Sequence, residues 1–166
     1  MSGNGRFVAF TSNATNVVPG DTNGFFDVFV EDTCIGAPAG CTLSTTRASL
    51  TNDGSQATGD SHVASISEDG RVVAFTSEAT NLVAGDTSPF PKIFLRDTCA
   101  GVTSGCTPST TRLSVALDGT AANNQCFNGA VSGDGAYVAF TSLASNLGPG
   151  DTNQAFDIFV ARTGLP

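Results

Sequence analysis

The chain has 166 residues, enough for one modest domain with a buried core. Fifteen acidic residues against seven basic ones give a net charge of −8, and the few Arg and Lys do not cluster, so no nucleic acid is expected as a partner. Apolar runs such as "FVAF" are too short for membrane insertion, and nineteen Gly with one Met and no Trp point to strands and turns, so an all-β fold is expected.

Taken in chain order, "MSGNGRFVAF" has no basic segment leading into a long apolar stretch, so no signal peptide is expected on this chain. "RFVAF" (residues 6–10) is the first strand signal. "GDTNGFFDVFV" (20–30) follows, a turn phrase running into a second strand. Cys34 and Cys41 flank a six-residue Gly-rich loop. "HVASIS" (62–67) is a strand rich in small residues, and the turn "EDG" leads into "RVVAFTS" (71–77). "GDTSPFPKIFL" (85–95) is a poorer copy of the earlier phrase, and its strand is "KIFLRDT" (92–98). Cys99 and Cys106 then flank a second loop, and "TTRLSVA" (110–116) alternates as a half-exposed strand does. The phrase returns near the end as "GDTNQAFDIFV" (150–160).

A fixed step of 65 residues links Gly5, Gly70 and Gly135; Phe10, Phe75 and Phe140; and Asp21, Asp86 and Asp151. It also carries Cys34 to Cys99 and Cys41 to Cys106. A step held without insertion over this many landmarks means duplication. Repeats are expected at 1–67, 68–132 and 133–166 within a single domain. Each full period holds four short antiparallel strands, A to D, the recipe for a propeller blade.

The string "SISEDGRVVAFTSEATNLVAGDT…IFLRDT…TTRLSV" resembles the bacterial TolB-type, WD40-like propeller repeat. The resemblance covers essentially the whole chain, although the Trp-Asp signature of true WD40 repeats is missing and the period exceeds their ~40–45 residues. It implies stacked four-stranded blades, commonly in extracellular or periplasmic proteins. Counted in strands, the chain holds three B–C pairs but only two D–A pairs, an incomplete arc of about three blades. Strand B of the first blade then lacks an inner neighbour, and an open edge of that kind invites pairing. Self-association into a homo-oligomer, a dimer above all, is expected, two copies giving a ring of six.

The loops around Cys34/Cys41 and Cys99/Cys106 read as two local disulfides in an oxidising compartment, or as four thiols in a reducing one. The spacing is not a zinc knuckle. Cys126 is left over and is expected to be a partly buried small residue. Asp21, Asn23 and Asp27 recur as Asp151, Asn153 and Asp157. Oxygens at alternate positions suit Ca²⁺ as a cofactor, but they suit ordinary Asx turns better, and the turn is the preferred reading. In the middle copy the positions become Asp86, Ser88 and Lys92, and an ammonium would repel a cation. His62, the only histidine, stands two residues after Asp60 on a strand expected to line a central channel with Phe127. Two functional readings follow. One is a non-enzymatic scaffold or binding module that self-associates. The other is a metal-dependent hydrolase of the lactonase or phosphotriesterase kind, with His62 as its catalytic candidate in a shared channel.

Overall fold

A computed structural model describes residues 1–102 and 104–165. Ten strands form, and no helix appears among the described residues. They are β1 (Phe7–Ser12), β2 (Asp27–Asp32), β3 (Ser44–Arg47), β4 (Ser61–Ile66) and β5 (Val72–Ser77). The remainder are β6 (Lys92–Asp97), β7 (Ser109–Arg112), β8 (Cys126–Val131), β9 (Tyr137–Ser142) and β10 (Asp157–Arg162). They pair as three antiparallel sheets, β1-β2-β3, β4-β5-β6-β7 and β8-β9-β10. The result is a propeller-like arc in which the middle blade alone has four strands. The first lacks the innermost strand and the third lacks the outermost.

The 65-residue step is visible in the ladders. Phe10 pairs with Phe29, Phe75 with Phe94 and Phe140 with Phe159, and each pair of rings stacks at 5.6–5.9 Å. Because side chains alternate across a strand, each blade has two faces with different residue sets. Positions equivalent to Val72, Ala74, Ile93 and Leu95 form a trailing face; those equivalent to Val73, Phe75 and Phe94 form a leading face. The trailing face of blade one (Val28 and Val30, with Phe7 and Ala9) packs on the leading face of blade two. The trailing face of blade two packs on Val138, Phe140, Phe159 and Ala161 of blade three. The core is therefore two inter-blade layers of one design.

Backbone bonds tie the blades at one end. Gly3 N–H donates to Glu68 C=O at 3.1 Å, and one period later Glu68 N–H donates to Gly133 C=O at 2.8 Å. Gly70 sits beside this row at φ +79°, where a Cβ would meet the Phe7 ring at 2.0 Å. A side chain there would force the first two blades apart.

Three details depart from the pattern read in sequence. The strand expected at 110–116 stops at Arg112. Leu113 N–H makes the last backbone bond, to Ile93 C=O; beyond it Ser114 Oγ accepts the Ile93 N–H in place of a backbone carbonyl, and Val115 N–H turns back onto Leu113 C=O. The innermost strand carries a bulge, with Val63 at φ 51°, and the same bulge recurs at Asn128, φ 59°. Cys126, expected to be partly buried, is fully buried. Its sulfur lies 3.2 Å from Ser142 Oγ, just as Ser61 Oγ donates to Ser77 Oγ at 2.9 Å in the preceding repeat.

Candidate functional site

The repeated phrase folds first as a local turn. Gly20 takes φ +77°, and Asn23 Oδ1 accepts the Phe25 N–H at 3.1 Å. That bond fixes the orientation of the amide, so Asn23 Nδ2 donates to Asp27 Oδ2 at 2.9 Å. The Ser49 hydroxyl donates to Asp27 Oδ1 at 2.6 Å. Asn23 thus presents hydrogens, not oxygen, to the carboxylates.

The positive charge in this copy comes from β3. Arg47 Nη2 stands 2.9 Å from Asp21 Oδ1, and its Nε stands 3.6 Å from Asp27 Oδ2. All three side chains are buried, and the guanidinium covers the Phe29 ring at 5.7 Å. Arg47 lies where a cation shared by Asp21 and Asp27 would lie. This donor set does not fit Ca²⁺, because an inward amide N–H and a resident guanidinium leave the carboxylates no room to coordinate one.

The middle copy solves the same problem with opposite charges. Lys92 Nζ lies 3.3 Å from Asp86 Oδ2 and donates to Ser88 C=O at 2.9 Å. Arg112 Nη1 donates to Asp86 Oδ1 at 3.1 Å. One carboxylate faces two cations here, against two carboxylates and one cation in blade one. Lys92 is fully enclosed, which an aliphatic stem ending on an acid and a carbonyl allows.

The third copy repeats the turn, with Asn153 Nδ2 donating to Asp157 Oδ2 at 3.0 Å and Ala155 N–H to Asn153 Oδ1 at 2.8 Å. Asp151 and Asp157 are half-buried, and among the described residues no ion pair reaches either. Of the six residues singled out in sequence, the fold sets Asn23 against Asp27 and Asn153 against Asp157, and sequence reasoning missed Arg47 and Arg112. Their signal was available: "TTR" stands at the same place in both full periods.

The cysteine loops are bridged, Cys34 to Cys41 and Cys99 to Cys106, each with Cα atoms 5.8 Å apart. Each bridge is preceded by a fork between blade strands. Arg6 donates from Nε and Nη2 to Asp32 at 2.9 and 2.7 Å, and Arg71 does the same to Asp97 at 3.0 and 2.8 Å. The same carboxylates accept the N–H of Cys34 and of Cys99, both at 2.9 Å. The Arg6 guanidinium holds the Asp32 carboxyl below its ordinary value. For Asp97 burial pushes upward, but the bonds from Arg71 and Cys99 outweigh it and the carboxyl again lies low. Two bridged loops suit an oxidising compartment.

His62 lies on β4 with Nε2 4.0 Å from Asp60 Oδ2, both side chains partly open to solvent. Its ring leans on Phe26 at 5.0 Å, and Asp60 Oδ1 is occupied by the Phe26 N–H at 2.9 Å. Phe127 packs near Phe156 instead, at 6.4 Å. Burial raises the thiol of Cys126, the reverse of what a nucleophile needs.

No family model matches the chain, and no curated protein matches it. Among solved structures the chain is similar to the crystal structure of TolB from Acinetobacter baumannii, at 20% identity and a TM-score of 0.45. The likeness covers 97% of this chain and 30% of that one, so the chain spans under a third of the protein it matches.

Proposed function

We propose that the chain is a non-enzymatic binding scaffold that self-associates head to tail through its two unlike end faces. The observation that carries this reading is a pair of exposed residues. Ile158 and Val160 on β10 are 68% and 65% exposed, whereas their equivalents one period earlier, Ile93 and Leu95, are 0% and 1% exposed beneath the next blade. At the other end, the leading face of blade one offers Val8 and Phe10, both half-buried, with the Phe10 ring stacked on the buried Phe29; the equivalent positions receive a neighbour in blades two and three. The trailing face of one copy therefore finds on a second copy the surface that its own repeats already bury twice. Exposed aliphatic pairs of this kind mark interaction surfaces. Two copies of three blades close a ring of six with two-fold symmetry, and the polar loops at the rim are left to bind other molecules.

The chemistry of the first two copies of the phrase favours this over a hydrolase, since the carboxylates of Asp21, Asp27 and Asp86 are committed to arginine and lysine. Light scattering over a concentration series tests the reading. The expected mass is about twice 16.8 kDa, falling to that of one chain in Ile158→Asp and Val160→Asp with unchanged circular dichroism. A parent chain that stays monomeric at every concentration, or an unchanged mass in both variants, would overturn it.

A further inference from the structure

The outer edge of β10, opposite its pairing with β9, carries a second feature, independent of the blade faces. We propose that this edge is a docking site for an extended polypeptide segment with the pattern S-T-T-R-x-S, added as a fourth strand. Blades one and two contain that strand. Ser44–Arg47 pairs with β2, with Arg47 opposite Phe29 and Ser44 opposite Asp32; Ser109–Arg112 pairs with β6 in the identical register. In both, the arginine runs to the first aspartate of the repeated phrase, Arg47 to Asp21 and Arg112 to Asp86. In both, the serine two residues on accepts a backbone N–H of the neighbouring strand, Val28 at 3.2 Å and Ile93 at 3.1 Å. The next residue in from that serine donates its own N–H to the same strand, Ala48 to Val28 and Leu113 to Ile93.

Blade three presents every acceptor of this set without the strand. The Asn153 turn holds Asp157 in position, Asp151 opens the same phrase, and among the described residues β10 has β9 as its one strand partner. Where Asp27 is wholly buried under Ser49 and Arg47, Asp157 stands half-open. Alongside runs a groove of about 450 Å³, walled by Leu113, Val115, Leu117, Leu147, Phe159 and Ala161. The corresponding groove one blade earlier is where β7 lies, and there Thr110 Oγ donates to Leu50 C=O. By the 65-residue step, the Val115 carbonyl awaits the first threonine of the incoming strand. Leu117, 93% exposed, overhangs the groove and would be covered. Backbone pairing supplies affinity, and two uncompensated carboxylates supply selection for arginine.

The probe is a synthetic peptide of this chain's own residues 109–115, Ser-Thr-Thr-Arg-Leu-Ser-Val, capped at both ends and labelled, titrated into the disulfide-intact protein by fluorescence anisotropy. Saturable binding is expected. The Arg→Ala peptide should bind about ten- to a hundredfold more weakly, the range for hydrogen bonds to a charged group. Asp151→Asn should weaken the parent peptide similarly while leaving the Ala peptide unaffected, and added salt should weaken only the parent. Failure of the parent peptide to saturate up to its solubility limit would overturn the site. Equal binding of the two peptides would also overturn it, as a merely adhesive groove. Because the peptide meets the outer edge of blade three, Val8→Asp on the far face of blade one should retain peptide binding while disturbing self-association, so this test and the self-association test fail separately.

Discussion

Replacing Arg47 by methionine removes the guanidinium but keeps an apolar stem of similar length over Phe29. Two carboxylates, 3% and 0% exposed, would then face each other without a cation. At an effective dielectric of about 20, contacts of 2.9 and 3.6 Å are worth roughly 4–6 kcal/mol each before desolvation. Relief of the arginine's own burial offsets much of this, and breaking a buried pair from one side costs about 3–5 kcal/mol net. A domain holds about 5–15 kcal/mol in all, so urea denaturation should register the change as a large fall in midpoint with an unaltered slope. By heat the shift should be roughly 6–20 °C for a chain of this size. The middle blade supplies the rescue. Adding Asp27→Lys to Arg47→Met reproduces the Asp86–Lys92 pairing and should recover most of the loss. A single variant within about 1 kcal/mol of the parent, or a double variant worse than the single, would refute the ion-pair account of the repeated phrase.

Gly70→Ala should destabilise by about 2–4 kcal/mol, from left-handed strain plus collision with Phe7, whereas Gly5→Ala meets only a sulfur at 4.0 Å and should lose about 1–2 kcal/mol by thermal melting. Val63 is a β-branched residue held at φ 51° with its side chain half in solvent, and Asn128 holds the same bulge one period later; Val63→Asn should gain about 1 kcal/mol in urea midpoint analysis. Asp32 and Asp97 lie below the ordinary 3.8 in the folded chain, so their stabilisation is present above that value and is lost as pH falls through the folded values. Urea midpoints measured from about pH 5 down to pH 3 should therefore drop, and less steeply in Asp97→Asn.

Much of this architecture was legible in the chain because its signals are local and periodic. "RVVAFTS" and "KIFLRDT" begin and end within one residue of β5 and β6, since an alternating apolar run between turn residues has few other uses. The cystine loops were legible for the same reason, two cysteines on facing arms. What stayed hidden was set across space. Arg47 is 26 residues from Asp21 and 20 from Asp27, so no window of sequence shows that the three converge. The oxygens of "DTNGFFD" looked like cation ligands because their spacing says nothing of which way the Asn23 amide turns. The shortened β7 and the bulges at Val63 and Asn128 depend on side-chain bonds and on backbone conformations that "HVASIS" does not announce. The middle copy's Lys92 looked like damage to a motif. In the fold it is a second solution to the same burial problem, with the charges exchanged.

The short row of peptide bonds from Gly3 through Glu68 to Gly133 has an arrow. Each N–H in it points forward to the carbonyl of the following blade, leaving a donor pole at Gly133 and an acceptor pole at Gly3. Two like poles brought together would set amide hydrogen against amide hydrogen, which no rotation relieves. If copies add end to end as proposed, growth must therefore proceed in one sense, as threads engage a screw. If the turn per blade closes after two copies, the arrow bites its own tail and assembly halts. If it falls short, the same rule carries on without end and gives a fibre, so the pitch between blades decides between a finite ring and an unlimited polymer.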